Sequence, residues 1–506
     1  MSEVARRRFL QGASALGAAG VLGTGRASAH GSSSGRYHWL SGDHHTHTQY
    51  SYDGMYTIEQ QIRGALRHGT DWLVITDHGH ASHEAHSVEA TAADIKRAQR
   101  KFPQLLLWHG MEWNVPGAEH ATLFLEDCHD EAGVLRDFER QFDWRLNGQE
   151  ASNPANEKKA LDAIRFLQTK IRNGTMKSAL VFVNHPMRNG RVAPHELRNM
   201  RDLAPDIVVG MEGAPGAQGD GDPLRGPGGH RGGYANSPGS NSYPAYPVEA
   251  YKTYGGFDWM TAKVGGVWDS LLAEGLGWWI TSNSDSHFNS RDTVVRVPEP
   301  GNQFDLTGKH LDPLDVGPPQ VLPPYVDFYP CEFSRTVVGT SRRTRGAVME
   351  GLRAGRAWVS HGGLVDDLQF DVYASGGTAT LGERLRVRRG SEVTVLVKAR
   401  LATRPNSAGF IPRLRRLDLI KGAVTGRTSS ETLSTPHVKV ERSYEPRWHY
   451  AVFTHTFRNV REPFYLRLRG TDGNRGAFEP QADTPGAANP WEDLWCYTNP
   501  IFVEVR

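Results

Sequence analysis

Cysteine is nearly missing from this chain: Cys128, Cys331 and Cys496 are all there is in 506 residues. So sparse and odd-numbered a set excludes a disulfide framework as what holds the fold. Long apolar runs are missing too, since no stretch reaches the ~18 apolar residues that a membrane span requires. Excess charge of one sign is the third absence. The formal net charge is +2, and Arg6, Arg7, Arg8 and Arg26 set against Glu3 more than account for it. The near-neutral remainder gives no electrostatic reason to expect non-specific binding to nucleic acid, or stable association with a membrane surface. What is present is an ordinary globular composition, 38% hydrophobic and 23% charged, in a chain long enough for two or three domains.

The first 29 residues stand apart. A basic cluster, Arg6-Arg7-Arg8 before Phe9-Leu10, leads into a weakly apolar stretch and a small-residue site at Ala27-Ser28-Ala29. This order resembles a twin-arginine signal with its cleavage site. It predicts a mature chain starting near His30, exported to the periplasm or beyond with the export machinery as a partner. That route carries folded proteins, often with metal already loaded, so the leader is an indirect hint of a cofactor.

From about residue 37 to 362, short apolar runs alternate with helical patterns. WLVIT (72–76), LLLWHGMEW (105–113), ALVFVNH (179–185), IVVGME (207–212) and GWWITSNSD (277–285) read as buried strands. Between them lie helices such as TIEQQIRGALRHG, with Ile58, Ile62, Ala65 and Leu66 on one face, a capping box from Thr57 and Gln60, and Gly69 as terminator. Such alternation predicts an α/β fold with a parallel sheet, open or closed into a barrel. The Gly/Pro-rich residues 213–247 read as a long loop. Near residue 364 the character changes to strands separated by Gly, Pro, Asn and Asp, which predicts a separate β-sandwich over 364–506.

The strand ends carry the chemistry. The first runs into His45 and His47, and WLVIT into Asp77 and His78. LLLWHGMEW holds Glu112, with His120 eight residues on; VFVNHP ends in His185, and the WWITS run in Asp285 and His287. One histidine at a strand end is usually a packed or solvated residue, but five such endings in one chain are hard to reconcile with that. His45 and His47 are two residues apart, so on a strand both face one side and can share an ion, and Asp285 and His287 repeat the spacing. Imidazole with carboxylate suits zinc, manganese or iron. His44 points the other way and reads as structural. His80, His83 and His86 lie in a loop beside the site, and Asp77 reads as an acceptor orienting a ligand or that loop.

Taken together, HxHT, a following Asp-Gly, TDH, Gly-x-Glu, a downstream His, NHP and SDSH resemble the PHP superfamily, over roughly residues 37–362. WDSLLAEG (268–275) and GLRAGRAWV (351–359) are similar to its carbaryl-hydrolase-like secreted branch. The resemblance implies a distorted (βα)7 barrel, here followed by the C-terminal sandwich, holding two or three divalent ions. In that scheme His45 and His47 bind the first ion with Glu112 and Asp285. Glu112 bridges to a second ion held by His120 and His185, and Asp53, His78 and His287 bind the third.

The implied reaction is hydrolysis of a small-molecule phosphoester, a monoester or diester, by a metal-bound hydroxide. His78 or a loop histidine would assist the leaving group, and one of Arg188, Arg191 and Arg291 would bind phosphate, with Arg291 the choice among them. The same ligand set would also serve a carbamate, ester or amide hydrolase. A non-catalytic sandwich binding a surface polysaccharide or a partner is the remaining alternative.

Overall fold

The computed structural model describes residues 36–222, 229–233, 236–289, 292–318, 327–447, 449–473 and 479–506. The leader reading, on residues 1–29, lies outside them. Seven strands form the N-terminal half: β1 His38–Asp43, β2 Trp72–Ile75, β3 Leu106–Asn114, β4 His120–Glu126, β5 Ser178–Val183, β6 Val208–Ala214 and β7 Trp279–Ser282. They lie side by side in chain order. β1, β2 and β3 run parallel, as do β5, β6 and β7.

The strand–helix alternation breaks at β4. It follows β3 in a hairpin, with Glu112 opposite Thr122 and Asn114 opposite His120, and pairs antiparallel with β5 as well. Gly117 makes the turn with φ +79°, a left-handed conformation open to glycine. The hairpin brings His120 back beside the end of β3, which no strand-by-strand reading placed.

Two further strands, β8 Ser334–Thr340 and β9 Ala357–His361, extend the sheet antiparallel from β1. β8 curls round until it faces β7. There the seam is closed by hydroxyls: Ser282 N donates to Thr336 Oγ1 (2.9 Å), Thr336 Oγ1 to Ser282 O (2.7 Å), and Ser282 Oγ to Arg335 O (2.9 Å). Helices Ile58–Arg67, Val88–Lys101, Glu131–Phe142, Pro154–Arg172 and Pro194–Leu203 cover the outside. The first has both halves of the Thr57/Gln60 capping box, and Ile58, Ile62 and Ala65 are buried. Of the long loop, residues 213–214 belong to β6, and short 3-10 turns stand at Gln218–Gly221 and Arg231–Gly233.

The C-terminal strands are β10 Val365–Ala374, β11 Gly377–Thr380, β12 Arg384–Val387, β13 Ser391–Leu401, β14 Arg416–Ala423, β15 Val438–Tyr444, β16 Tyr450–Val460, β17 Phe464–Thr471, β18 Trp495–Thr498 and β19 Ile501–Val505. One sheet runs β11-β10-β13-β16. Its apolar face, with Phe370, Val393, Val395 and Val397, meets Leu417, Leu419, Leu466, Leu468 and Val503 of the other layer in one core. That other layer is not a separate sheet. β18 pairs with β9, Val359 opposite Tyr497, so a single 15-stranded sheet continues from the sandwich into the N-terminal half. A buried ion pair joins the halves: Arg467 Nε and Nη2 donate to Asp269 Oδ1 and Oδ2 at 2.9 and 2.8 Å, and Tyr465 adds a third bond at 2.8 Å. The architecture is therefore mixed α/β with a large C-terminal sheet region. Among the described residues no helix is long and apolar enough to cross a membrane.

Candidate metal centre

Beyond Asp43 the chain bends at His44 and bridges through Thr46 to Ser286, and its side chains point in opposite directions. His44 turns inward, with Nε2 2.7 Å from Thr281 Oγ1, Nδ1 3.3 Å from Thr122 Oγ1, and its ring stacked on Phe182. Burial pushes its pKa down to about 3, so it is a neutral strut between β4 and β7. His45 and His47 turn the other way, and their Nε2 atoms lie 3.1 Å apart.

Those two nitrogens meet two carboxylates. Asp285 Oδ1 is 3.0 Å from each, and Glu112 Oε2 is 3.1 Å from His45 and 3.3 Å from His47. The second oxygen of Glu112 faces elsewhere: Oε1 is 2.9 Å from His120 Nδ1, 3.1 Å from His185 Nε2, and accepts from Asn184 Nδ2 at 3.0 Å. A third group lies towards solvent. His78 Nε2 is 3.3 Å and His287 Nε2 3.6 Å from Asp53, while His78 Nδ1 returns to Glu112 Oε2 at 3.1 Å. All nine residues of the expected ligand set are thus brought into one cluster, in four groups whose donor atoms lie within 4.8 Å of one another.

The donors fit metal ions better than they fit each other. Asp285 Oδ1 and His78 Nδ1 are buried and close to oppositely polar atoms, yet neither makes a hydrogen bond of acceptable geometry. They aim at shared points. Spacings of 3.0–3.3 Å are the edges expected of a coordination shell with bonds of roughly 2.1 Å. Charge points the same way. Burial opposes protonation of the His45 ring, yet Asp285, Glu112 and Glu212 raise its pKa well above the ordinary value. The pocket calls for positive charge, which bound cations would supply.

Side chains behind the donors fix their orientation. Glu212 Oε1 lies 2.7 Å from His45 Nδ1, and its Oε2 accepts the His185 N–H at 2.7 Å. A proton held on Nδ1 by Glu212 leaves the Nε2 lone pair facing the cluster. Asp77 accepts from Thr48 N and Oγ1 (2.6 and 2.8 Å), fixing the loop after His47. Asp327 Oδ2 accepts the His287 N–H at 2.6 Å. Burial opposes charge on His287, but Asp53 and Asp285 raise its pKa to about 10. Burial pushes the pKa of His78 down to about 3.

Sequence reasoning missed Glu119 and Glu212. Glu119 groups with His120 and His185. Burial opposes its ionisation, yet Arg188, 3.0 Å away, and His120 hold its pKa down to about 2. Glu212 ends the IVVGME run in the same way as the ligands end theirs, so the signal was present.

Other expected residues are engaged elsewhere. His83 is buried against Glu139 at 2.9 Å, and His86 is exposed on the turn before Val88. Arg188 and Arg191, two of the phosphate-binding candidates, are paired with Glu119 and Glu150. The third, Arg291, lies outside the described residues.

The family model of the PHP domain matches residues 43–144. No curated protein matches the chain. Among solved structures the chain is similar to a two-domain protein of Bacteroides vulgatus described as containing a predicted PHP-like metal-dependent phosphoesterase. The identity is 13%, the coverage 92% of this chain and 96% of that one, and the TM-score 0.32. It is also similar to a protein of Bifidobacterium adolescentis named as a metal-dependent phosphoesterase, at 16% identity over 34% of this chain and 76% of that one, with a TM-score of 0.20.

Proposed function

We propose that the chain is a metal-dependent phosphoesterase of the PHP type, working at the cluster centred on Glu112. The observation that carries this reading is the division of Glu112, whose two buried oxygens face two separate sets of imidazoles. Divalent ions bound there would acidify a water and neutralise charge on the phosphoryl oxygens. His45, His47, Glu112 and Asp285 would hold the first, and Glu112, His120 and His185 the second, with Glu119 beside them. Asp53, His78 and His287 would hold a third. The placing of His78 between Asp53 and Glu112 favours its role as a ligand over that of a proton donor. Glu212 keeps His45 in the ligating tautomer, and Asp327 holds His287.

The test is turnover of an aryl phosphate monoester, an aryl phosphodiester and an aryl carbamate side by side, with metal analysis of the same sample. Preferential cleavage of the carbamate would replace this reading by a carbamate hydrolase on the same ligands. Two finer proposals rest on sequence. WDSLLAEG and GLRAGRAWV support the carbaryl-hydrolase-like branch, and the leader supports twin-arginine export. For the latter, changing Arg6 and Arg7 to Lys should leave precursor in the cytoplasm.

A further inference from the structure

The arginines around the metal centre are of two kinds. Arg140, Arg188 and Arg191 are matched by Glu84, Glu119 and Glu150. Among the described residues Arg145 makes no ion pair with a carboxylate, whereas Arg296 has Glu299 and Asp53 near it; each is held by a neutral acceptor, and both acceptors belong to the loop that carries Asp53. Arg145 Nη2 donates to Tyr52 OH at 2.7 Å, and Arg296 Nη2 to Gly54 O at 2.6 Å.

Arg145 is the better placed of the two. Asn114 stands two residues after Glu112 on β3, hence on the same face. It is fully buried, gives its amide to Gly79 O (2.9 Å) and Asp143 Oδ2 (2.8 Å), and offers Oδ1 to Arg145 Nε at 3.3 Å. Asp143 Oδ1 accepts the Arg145 N–H at 2.9 Å, fixing the backbone as well. The guanidinium lies 4.5 Å over the Tyr52 ring, and that ring stacks on His78 at 5.1 Å. Imidazole, phenol and guanidinium form three layers leading outward from the histidine and carboxylate cluster, and the outermost is exposed. A long cationic side chain carries about 2 kcal/mol of rotamer entropy; here most of that freedom is already lost before any ligand arrives. A permanent charge, held in place with donors to spare and no anion beside it, is built for an anion that comes and goes.

We infer that Arg145, held on Tyr52, recognises a second anionic group of the substrate, a carboxylate or phosphate lying beyond the phosphoryl group under attack. This rests on the phosphoesterase reading above. The Tyr52 and His78 layers keep Arg145 from the ions, so its partner is a remote part of the substrate rather than the reacting phosphoryl.

Calorimetric binding to the metal-loaded full chain tests it, with benzylphosphonate, 4-carboxybenzylphosphonate and the corresponding bis-phosphonate. Wild type should bind one or both doubly anionic compounds about tenfold more tightly than benzylphosphonate, as expected for an exposed charge-assisted contact, and which of the two gains identifies the group. In Arg145→Gln the ratio should fall below about threefold, with Arg145→Lys between and metal content unchanged in both. Equal binding of all three compounds by wild type, or a ratio that persists in Arg145→Gln, overturns the inference alone. Wild type that binds none of them removes the phosphoesterase reading as well.

Discussion

Along β13 of the sandwich, Val393, Val395, Val397 and Ala399 are buried while Glu392 and Arg400 are exposed, and every residue from Val393 to Arg400 pairs across to β16. Around Glu112 the reverse holds. His45, His47, His120, His185 and Glu112 are buried polar groups, and two candidate ligands, His185 (φ +27°) and Asp285 (φ +48°), sit in left-handed backbone that costs about 1 kcal/mol or more at a residue other than glycine. The sandwich gains stability from local pattern; the metal centre spends it on pre-arranged donors. Because both belong to one sheet, the first can hold the second in place.

Breaking that link should have the largest effect. In Asp269→Asn, Arg467 stays fully buried with its charge unbalanced, at a cost of about 3–5 kcal/mol. Chemical denaturation should show that loss and resolve two transitions where wild type has one; a loss below about 1 kcal/mol would mean the halves do not depend on the pair. Next is Glu112→Gln, nearly isosteric but neutral. Turnover should fall at least ~10²-fold and bound metal with it, while the far-ultraviolet circular dichroism stays unchanged. Full metal content at the wild-type rate would dismiss the shared carboxylate. On the sandwich side, Val395→Ala leaves a small cavity and should cost about 2 kcal/mol in a urea titration without altering metal per chain. Metal loss in that variant would show that the two ends do not divide their tasks as described. Smallest is Glu212→Gln, which weakens the hold on His45 Nδ1 and should lower metal affinity about tenfold in competition with a chelator.

Much of the donor set was legible because a side chain at a strand end needs only the strand to be recognised. His45, His47, Glu112 and Asp285 follow from that rule and the two-residue period. His120 does not, since it depends on a hairpin turn that a pattern of alternating strands and helices conceals. Glu212 ends its run as plainly as Glu112 does, but a lone terminal carboxylate has an ordinary surface reading until its partner is seen. Arg145 and Tyr52 lie far apart in sequence and meet only in the fold, through a hydrogen bond and stacking that leave no period to read. Most of the sandwich strands were visible in sequence, but the short strands β11, β12 and β18 were not. The sharing of a sheet with β9 was not visible either, because pairing between Val359 and Tyr497 leaves no local trace.

For anyone engineering this chain, β18 and β19 make the C-terminus a structural member rather than a convenient handle. Deleting the last dozen residues would strip the outer edge of β9, leaving only β8 between that open edge and β1, the strand that presents His45 and His47. An unpaired edge is a template for another chain. A truncation there should therefore show itself first as aggregation and only afterwards as lost chemistry.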